Sequence, residues 1–597
     1  MHSNTSSPSL HDDSFAQTSQ QGLRNKMSVS SALNAVLHHF KRHVGVGIIC
    51  AVGYFDPGNW SVDIQAGVSF GYRPMLFVIL VAGIIAIILQ AHIFHLAVAS
   101  SYTMFLDLAH HCRLLLNDHP KHPRLVRRLV LYPLYILCEI AIISTDLAEL
   151  LGSAIGICLL FPQVPLWSAV LITGVDVFIF LIVGDPSRTG RPVRFFELVI
   201  ILLVAMVFIC FILLLVNVHP DWPQVFLGFV PSSGLFQSQP NAVYAAIGII
   251  GATVMPHALF LGSNLATQDR VSDPPKPLPT PADARRLSFS QRFKQFWRSI
   301  IYFSRSERDT GKDYTSRHGF RQNNSLEFIR AHISHGTVDL VFSLMGLAVP
   351  INSAILVLAA AMFYSSDYNA SIGLENMHTL MQQTLGSAAA VIFALALVCS
   401  GQTASITATL AGQIVSEGFI SWNISPFIRR LLTRLISLIP SMIVAISSGG
   451  AGLNALLIAS QVALSVVLPF VAFPLIYLTS SKTVMSVRTP KVIQEKLVKT
   501  PPITSTHAVF PVSDTLSTHR PPLPVGTSIT VVERNMESRD DSMKHSSIQA
   551  YETQETQEYS VVDFSNGYIV TWLSWIIWVV ILAANVYAIV ILGLGQT

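Results

Sequence analysis

The sequence predicts an all-α polytopic membrane protein of about eleven transmembrane helices, an inverted five-plus-five repeat with one extra C-terminal helix and with helices 1 and 6 discontinuous. Three observations carry this reading. Hydrophobic residues make up 51% of the 597 and charged ones only 12%, against roughly a quarter charged in soluble chains. The apolar residues gather into runs of about twenty or more, long enough for a helix to cross a hydrocarbon core of roughly 30 Å. With the N-terminus cytoplasmic, all but Arg73 of the 38 Lys and Arg residues lie on the cytoplasmic side or at helix ends facing it, the asymmetry that orients membrane proteins.

Along the chain, residues 1–43 are polar, rich in Ser, Gln and His, and lack the pattern of a secretory signal peptide, so they read as a cytoplasmic tail. A first membrane block, 44–268, holds runs near 44–70, 74–100, 128–154, 164–184, 193–217 and 241–266. Residues 269–330, with mixed charge and Pro274-Pro275-Lys276-Pro277, read as a disordered cytoplasmic loop. A second block, 331–480, holds runs near 336–364, 386–412, 430–448 and 452–478. Within it the polar stretch 365–385 faces outward and carries Asn369-Ala370-Ser371, a weak acceptor pattern for N-glycosylation. Residues 481–565, with Thr500-Pro501-Pro502, read as a second disordered cytoplasmic loop, and 566–597 as a terminal helix. The two long loops are expected to serve regulation, through trafficking or ubiquitin-ligase adaptors. Cys50, Cys138, Cys158, Cys210 and Cys399 fall in apolar runs and Cys112 in a loop, so no disulfide framework is expected. The net charge of +4 reports topology, not nucleic-acid binding.

An odd number of spans per half forces the halves into opposite orientations, and an interruption at corresponding places in the first helix of each half marks a transporter site. The first span contains Asp56-Pro57-Gly58-Asn59 and the sixth Met255-Pro256-His257. In a soluble chain the first would be a surface turn and the second a kink beside a core methionine. Inside a membrane, Pro57, Gly58 and Pro256 are helix breaks that free carbonyls where lipid offers no donor. A cation is one partner for them. The Asp56 carboxylate and Asn59 amide oxygen form one half-site, the Ala252 carbonyl and Met255 thioether the other. Sulfur favours Mn²⁺, Fe²⁺, Co²⁺ or Cd²⁺ over Ca²⁺ and Mg²⁺. Gln461 in the tenth span offers a further oxygen or a helix–helix hydrogen bond.

Glu139, Asp146 and Glu149 in the third span are offset by seven and ten residues, which puts them within about 80° of one another on a helix. Intramembrane acids mark ion paths or proton relays, or pair structurally; Arg434 at the start of the ninth span is a candidate partner. His257 is placed to relay protons or to pack as a hydrogen-bonded core residue. The small and hydroxylated residues of 400–419 read as close helix packing and receive no chemistry from their spacing.

These motifs, with the stretch Gly401 to Phe419, resemble the NRAMP family of proton-coupled divalent metal transporters over roughly residues 44–270 and 330–480. The resemblance implies the inverted-repeat fold also seen in bacterial amino-acid symporters. It implies that Asp56, Asn59, Ala252 and Met255 bind metal, joined by Gln461 in some states, and that Glu139, Asp146, Glu149 and Arg434 form a proton or charge pathway. Many members carry His five residues after the motif histidine; this chain has Gly262, in a Leu-Gly-Ser form similar to fungal members. The expectation is a secondary transporter, not an enzyme, that moves Mn²⁺ or Fe²⁺, with Co²⁺, Cd²⁺ and Zn²⁺ also possible cargo, together with protons and without a resident cofactor. It would lie in the plasma membrane or a vacuolar or endosomal membrane, and the sequence leaves its oligomeric state open, a monomer being compatible with it. The competing readings are an organic-solute symporter of the same fold, a non-transporting metal receptor, and a channel. An intramembrane enzyme lacks a His-Glu-x-x-His or Walker-type site.

Overall fold

Unbroken apolar sequence leaves the backbone little but helix with which to satisfy its own donors and acceptors, and prolines decide where the helices stop. In a computed structural model the described residues are 46–99, 106–184, 194–237, 241–267, 326–364, 373–421, 426–447, 449–490 and 559–594. The chain divides into two compact units, Met1–Thr489 with Val561–Thr597 and Pro490–Ser560, and the helical bundle belongs to the first. The N-terminal tail, Pro274-Pro275-Lys276-Pro277, Asn369-Ala370-Ser371 and Thr500-Pro501-Pro502 lie outside the described residues.

The first apolar run becomes two helices, α1 (Val46–Val52) and α2 (Pro57–Phe70). α3 (Met75–Ala99) follows, then a short helix α4 (Leu108–Asn117) that buries Leu108, Ala109, His111 and Cys112. Cys112 therefore sits inside a helix and not in a loop. α5 (Tyr132–Leu160) is entered through a π turn, Arg127–Leu131, just before Pro133. α6 (Leu166–Gly184), α7 (Arg194–Val218) and the short α8 (Trp222–Gly228) complete the approach to α9 (Ala242–Thr253) and α10 (Pro256–Ala266), which share one apolar run. α11 (Leu326–Ser343) passes through a second π turn, Leu344–Ala348, into α12 (Val349–Phe363), again just before a proline, Pro350. A π turn widens the helix by one residue and absorbs the donor that proline removes.

α13 (Leu374–Leu385) occupies the stretch expected as an outward polar loop and buries Leu374, Met377 and Met381. α14 (Ser387–Ile420), α15 (Pro426–Ser447) and α16 (Gly449–Ser480) follow. The segment expected to be disordered from 481 to 565 is structured at both ends. β1 (Ser486–Pro490) pairs with β2 (Tyr559–Asp563), and the Phe564 amide donates to the Met485 carbonyl at 2.8 Å. α17 (Tyr568–Gly593) ends the described chain.

Among the described residues, seven helical stretches are long and apolar enough to cross a membrane. α5 is long enough too, at 29 residues or about 44 Å, yet it carries three carboxylates. α14 lies along α5, α12 along α2, and α9 against α16. Trp60 anchors α2 among them, its ring 4.9 Å from Phe211 and 5.5 Å from Phe393. Ile84, Ile209, Ile439, Ile443 and Val579 are exposed on outer helices, as lipid-facing positions must be.

Candidate metal site

The two breaks are built the same way. Asp56 is the N-cap of α2 with Pro57 in the first turn, and Met255 holds the N-cap position of α10 with Pro256 after it. Proline suits a helix start because its missing N–H is one that no helix would use there. The two N-caps differ in chemistry. Asp56 Oδ1 accepts from the Asn59 amide nitrogen at 2.9 Å and from Asn59 Nδ2 at 2.7 Å, the usual duty of a capping carboxylate. Met255 makes no cap bond, so its thioether stays uncommitted, fully buried.

Two carbonyls at the first break, those of Tyr54 and Phe55, find side-chain partners within the protein. Asn352 Nδ2 donates to the Tyr54 carbonyl at 2.6 Å, while Ser400 Oγ at 2.6 Å and Trp60 Nε1 at 3.1 Å donate to that of Phe55. For these two carbonyls the partners are side chains of α2, α12 and α14, where the sequence suggested a cation. What the break leaves without a partner is side-chain oxygen: Asp56 Oδ2, Asn59 Oδ1 and Gln461 Oε1 are all buried and unbonded among the described residues. Gln461 on α16 lies directly over Gly58, where any Cβ would overlap its amide, and that same Cβ would stand 3.2 Å from Asp56 Oδ2. Asp56, Asn59 and Gln461 thus meet at one turn.

At the second break Pro256 has no N–H, so the Ala252 carbonyl four residues earlier loses its helical donor. Ala252 and Met255 are both buried. Among the described residues no cluster of three His, Cys, Asp or Glu is arranged to hold a metal. The candidate donors are one carboxylate and an amide oxygen at the first break, a carbonyl and a thioether at the second, and an amide oxygen on α16.

His257 Nδ1 lies 3.2 Å from Thr145 Oγ1. Thr145 donates its one proton to the Ala141 carbonyl at 3.0 Å, so His257 donates from Nδ1 and keeps Nε2 as an acceptor. Nε2 faces Gly53, between α1 and the first break.

The three acids of α5 have separate fates. Asp146 pairs with Arg434 at 2.5 Å, and Ser405 Oγ takes the other side of that guanidinium. Glu139 pairs at 2.6 Å with Arg429, a residue that sequence reasoning did not single out. Glu149 is buried, and among the described residues neither of its carboxylate oxygens has a partner. Arg429 stands five residues before Arg434 on α15, and that spacing against the seven of Glu139 and Asp146 was the available signal. The small residues of 400–419 gain roles from this geometry. Ser400 caps a carbonyl of the first break, Ser405 holds Arg434, and Gly412 makes room for Arg429, whose Nη1 would lie 2.5 Å from a Cβ there.

Gln90 on α3 fills the space beside Gly262. Its Nε2 donates to Tyr54 Oη at 3.0 Å and to the Ala258 carbonyl at 3.1 Å. A Cβ on Gly262 would overlap Gln90 Oε1 and come within 3.2 Å of Cys50 Sγ. A histidine at that position would have to displace the Gln90 amide.

Residues 47–498 match the family described as Nramp, natural resistance-associated macrophage protein-like. The chain is 37% identical over 454 residues to the manganese transporter pdt1 of Schizosaccharomyces pombe, covering 76% of this chain and 77% of that one. It is 35% identical to the iron transporter SMF3 of Saccharomyces cerevisiae, over 79% of this chain and 90% of the relative. With the manganese transporter SMF1 of the same yeast the identity is 33%, over 98% and 91%. Among solved structures it is similar to the crystal structure of the Eremococcus coleocola manganese transporter in complex with an aromatic bis-isothiourea substituted compound. There the TM-score is 0.57 and the identity 30%, over 74% of this chain and 79% of the other.

Proposed function

The chain belongs to the Nramp family, and from that premise we propose that it is a secondary transporter that carries Mn²⁺ and Fe²⁺ into the cytoplasm, coupled to protons, by alternating access. Divalent metal ion transport is the activity that the names of its relatives share. The observation that carries the reading is that Asp56 Oδ2, Asn59 Oδ1 and Gln461 Oε1 are buried and unbonded among the described residues, on side chains that stand next to or over Gly58. Each unpaired buried polar atom costs about 1–3 kcal/mol, so three together favour a cation among them. The Ala252 carbonyl and the Met255 thioether complete the set, and sulfur gives the preference for softer divalent ions. Co²⁺, Cd²⁺ and Zn²⁺ fit the same donors.

Glu149 and His257 Nε2 are the proton-accepting groups next to this site, and the pairs Glu139–Arg429 and Asp146–Arg434 continue the polar path toward the cytoplasm. The arrangement of spans is the inverted repeat of five and five with broken first and sixth helices, plus α17 as an eleventh. The N-terminus is cytoplasmic, and the membrane is that of the cell surface, vacuole or endosome. One divalent ion with one proton moves three charges, about 7 kcal/mol per 100 mV across the whole field.

The test is Mn²⁺ uptake by the full chain in proteoliposomes under a set pH gradient. Uptake should quicken with acid outside, fall when Cd²⁺ competes, and vanish in Asp56→Ala. Absent uptake, or uptake indifferent to Cd²⁺, overturns metal transport; uptake indifferent to the gradient removes the proton.

A further inference from the structure

α17 touches the bundle along one narrow seam. Ser574, Ile581, Asn585 and Ala588 are buried, while Ile576, Val579, Val580 and Val586 between them and Ile589 after them are exposed. Three of the seam's polar groups reach neighbouring helices: Ser574 Oγ lies 3.0 Å from His92 Nε2 on α3, Trp578 Nε1 donates to the Pro469 carbonyl at 2.8 Å, and Asn585 meets Ser465. The last two converge on one place in α16.

That place is a proline kink. α16 carries Pro469 inside its helix, and proline has no N–H to give to the carbonyl four residues earlier, which is that of Ser465. In the hydrocarbon region no water replaces the missing donor. Asn585 Nδ2 supplies it, at 2.8 Å from the Ser465 carbonyl, and Asn585 Oδ1 accepts from Ser465 Oγ at 2.6 Å. Both ends of one amide are thus used on the one residue that the kink leaves unsatisfied. Ser465 also has two neighbours at the candidate metal site. It follows Gln461 by one helical turn on the same face, and it packs against Gly251, where a Cβ would stand 2.9 Å from both its Cα and its Oγ. Gly251 precedes Ala252.

We infer that Asn585 is a positioning residue for metal transport. By capping the carbonyl that Pro469 orphans, it fixes the bend of α16, and through Ser465 it sets where Gln461 and the end of α9 stand. The C-terminal helix is then part of the transport machinery, although it contributes no atom to the ion's own set of donors. This rests on the transport reading above, and the two fail differently: without Mn²⁺ uptake by the unaltered chain the transport reading falls, whereas Asn585 is judged only by differences among variants that share the unaltered background.

The experiment is a cycle of four full-length proteins in proteoliposomes: unaltered, Asn585→Leu, Pro469→Ala, and both together. KM for Mn²⁺ is measured at matched protein amounts. Asn585→Leu should raise KM roughly three- to tenfold, the scale of one interhelical hydrogen bond in a membrane. Pro469→Ala restores a backbone N–H that satisfies the Ser465 carbonyl from within α16, so in that background Asn585→Leu should raise KM by less than twofold. If Asn585→Leu leaves KM unchanged, or raises it by the same factor in both backgrounds, the inference is wrong. Should Asn585→Leu fail to accumulate as a monodisperse protein, the same cycle is read from yield: recovery on adding Pro469→Ala supports the cap, and no recovery overturns it.

Discussion

Asp56 commits one carboxylate oxygen to the turn that carries it and leaves the other buried and unbonded among the described residues, so the residue that shapes the break also brings a spare acceptor to it. Met255 has the matching place on the other broken helix without any capping duty. Met255→Ala should therefore keep the fold and most Mn²⁺ flux while letting Ca²⁺ compete, because the remaining donors are all oxygen. Competition of Ca²⁺ with Mn²⁺ uptake checks this, and continued exclusion of Ca²⁺ would show that sulfur is not the filter. Asp56, Asn59, Met255 and the prolines were legible because a charge or a donor-deleting residue stands out in an apolar run. Arg429, Ser400, Asn352 and Gln90 were not. A hydroxyl or amide in a membrane helix reads equally well as packing, and Glu139 lies 290 positions from its partner Arg429, a pairing that only the folded chain selects.

Whole helices were read well where apolar length decides and poorly where amphipathicity does. α13 has its buried residues Leu374, Met377 and Met381 spaced by three and four, the helical signal, but its polar neighbours drew the eye to a loop. α4 was missed for the same reason, and its docking is electrostatic. Asp107 caps α4, accepts from His110 Nδ1 at 2.8 Å and from Asn264 Nδ2 at 3.1 Å on α10, while Ser263 Oγ receives the Leu108 amide. Burial alone would raise the Asp107 carboxyl, but the charge and hydrogen bonds of His110, with Asn264, outweigh it and hold it below its ordinary value. Burial would lower His110, yet Asp107 and then Glu417 prevail over it and over the opposing Arg113, and hold it raised. A raised histidine stabilises most below its unfolded pKa and loses its contribution as pH climbs through the folded one; a depressed carboxylate loses its own as pH falls through the folded value. The pair is thus fully charged between about pH 4 and 6.5 and weakens above. Hydrogen exchange of α4 amides should show protection falling as pH rises past the His110 transition, once corrected for intrinsic exchange. His110→Gln should flatten that dependence; an unchanged slope would remove His110 as the cause.

Across the molecule, the segment that the sequence presents as one long loop begins and ends in strands, since β1 and β2 pair and Lys482 lies 3.8 Å from Asp563. Deleting residues 491–558 and closing the ribbon with a short turn should leave Mn²⁺ flux within about twofold, because α16 and α17 stay joined and the Asn585 cap is untouched. Lost uptake with normal protein abundance would favour a receptor that works through that segment. The close fit of distant pieces also limits the routes by which such a chain can evolve. Gln90, pinned by Tyr54 and Ala258, fills the room that a side chain at 262 would need. A side chain at 262 has to move the Gln90 amide away from Tyr54 and Ala258. Any exchange of Gly262 is thereby tied to the two bonds of a side chain 172 residues upstream.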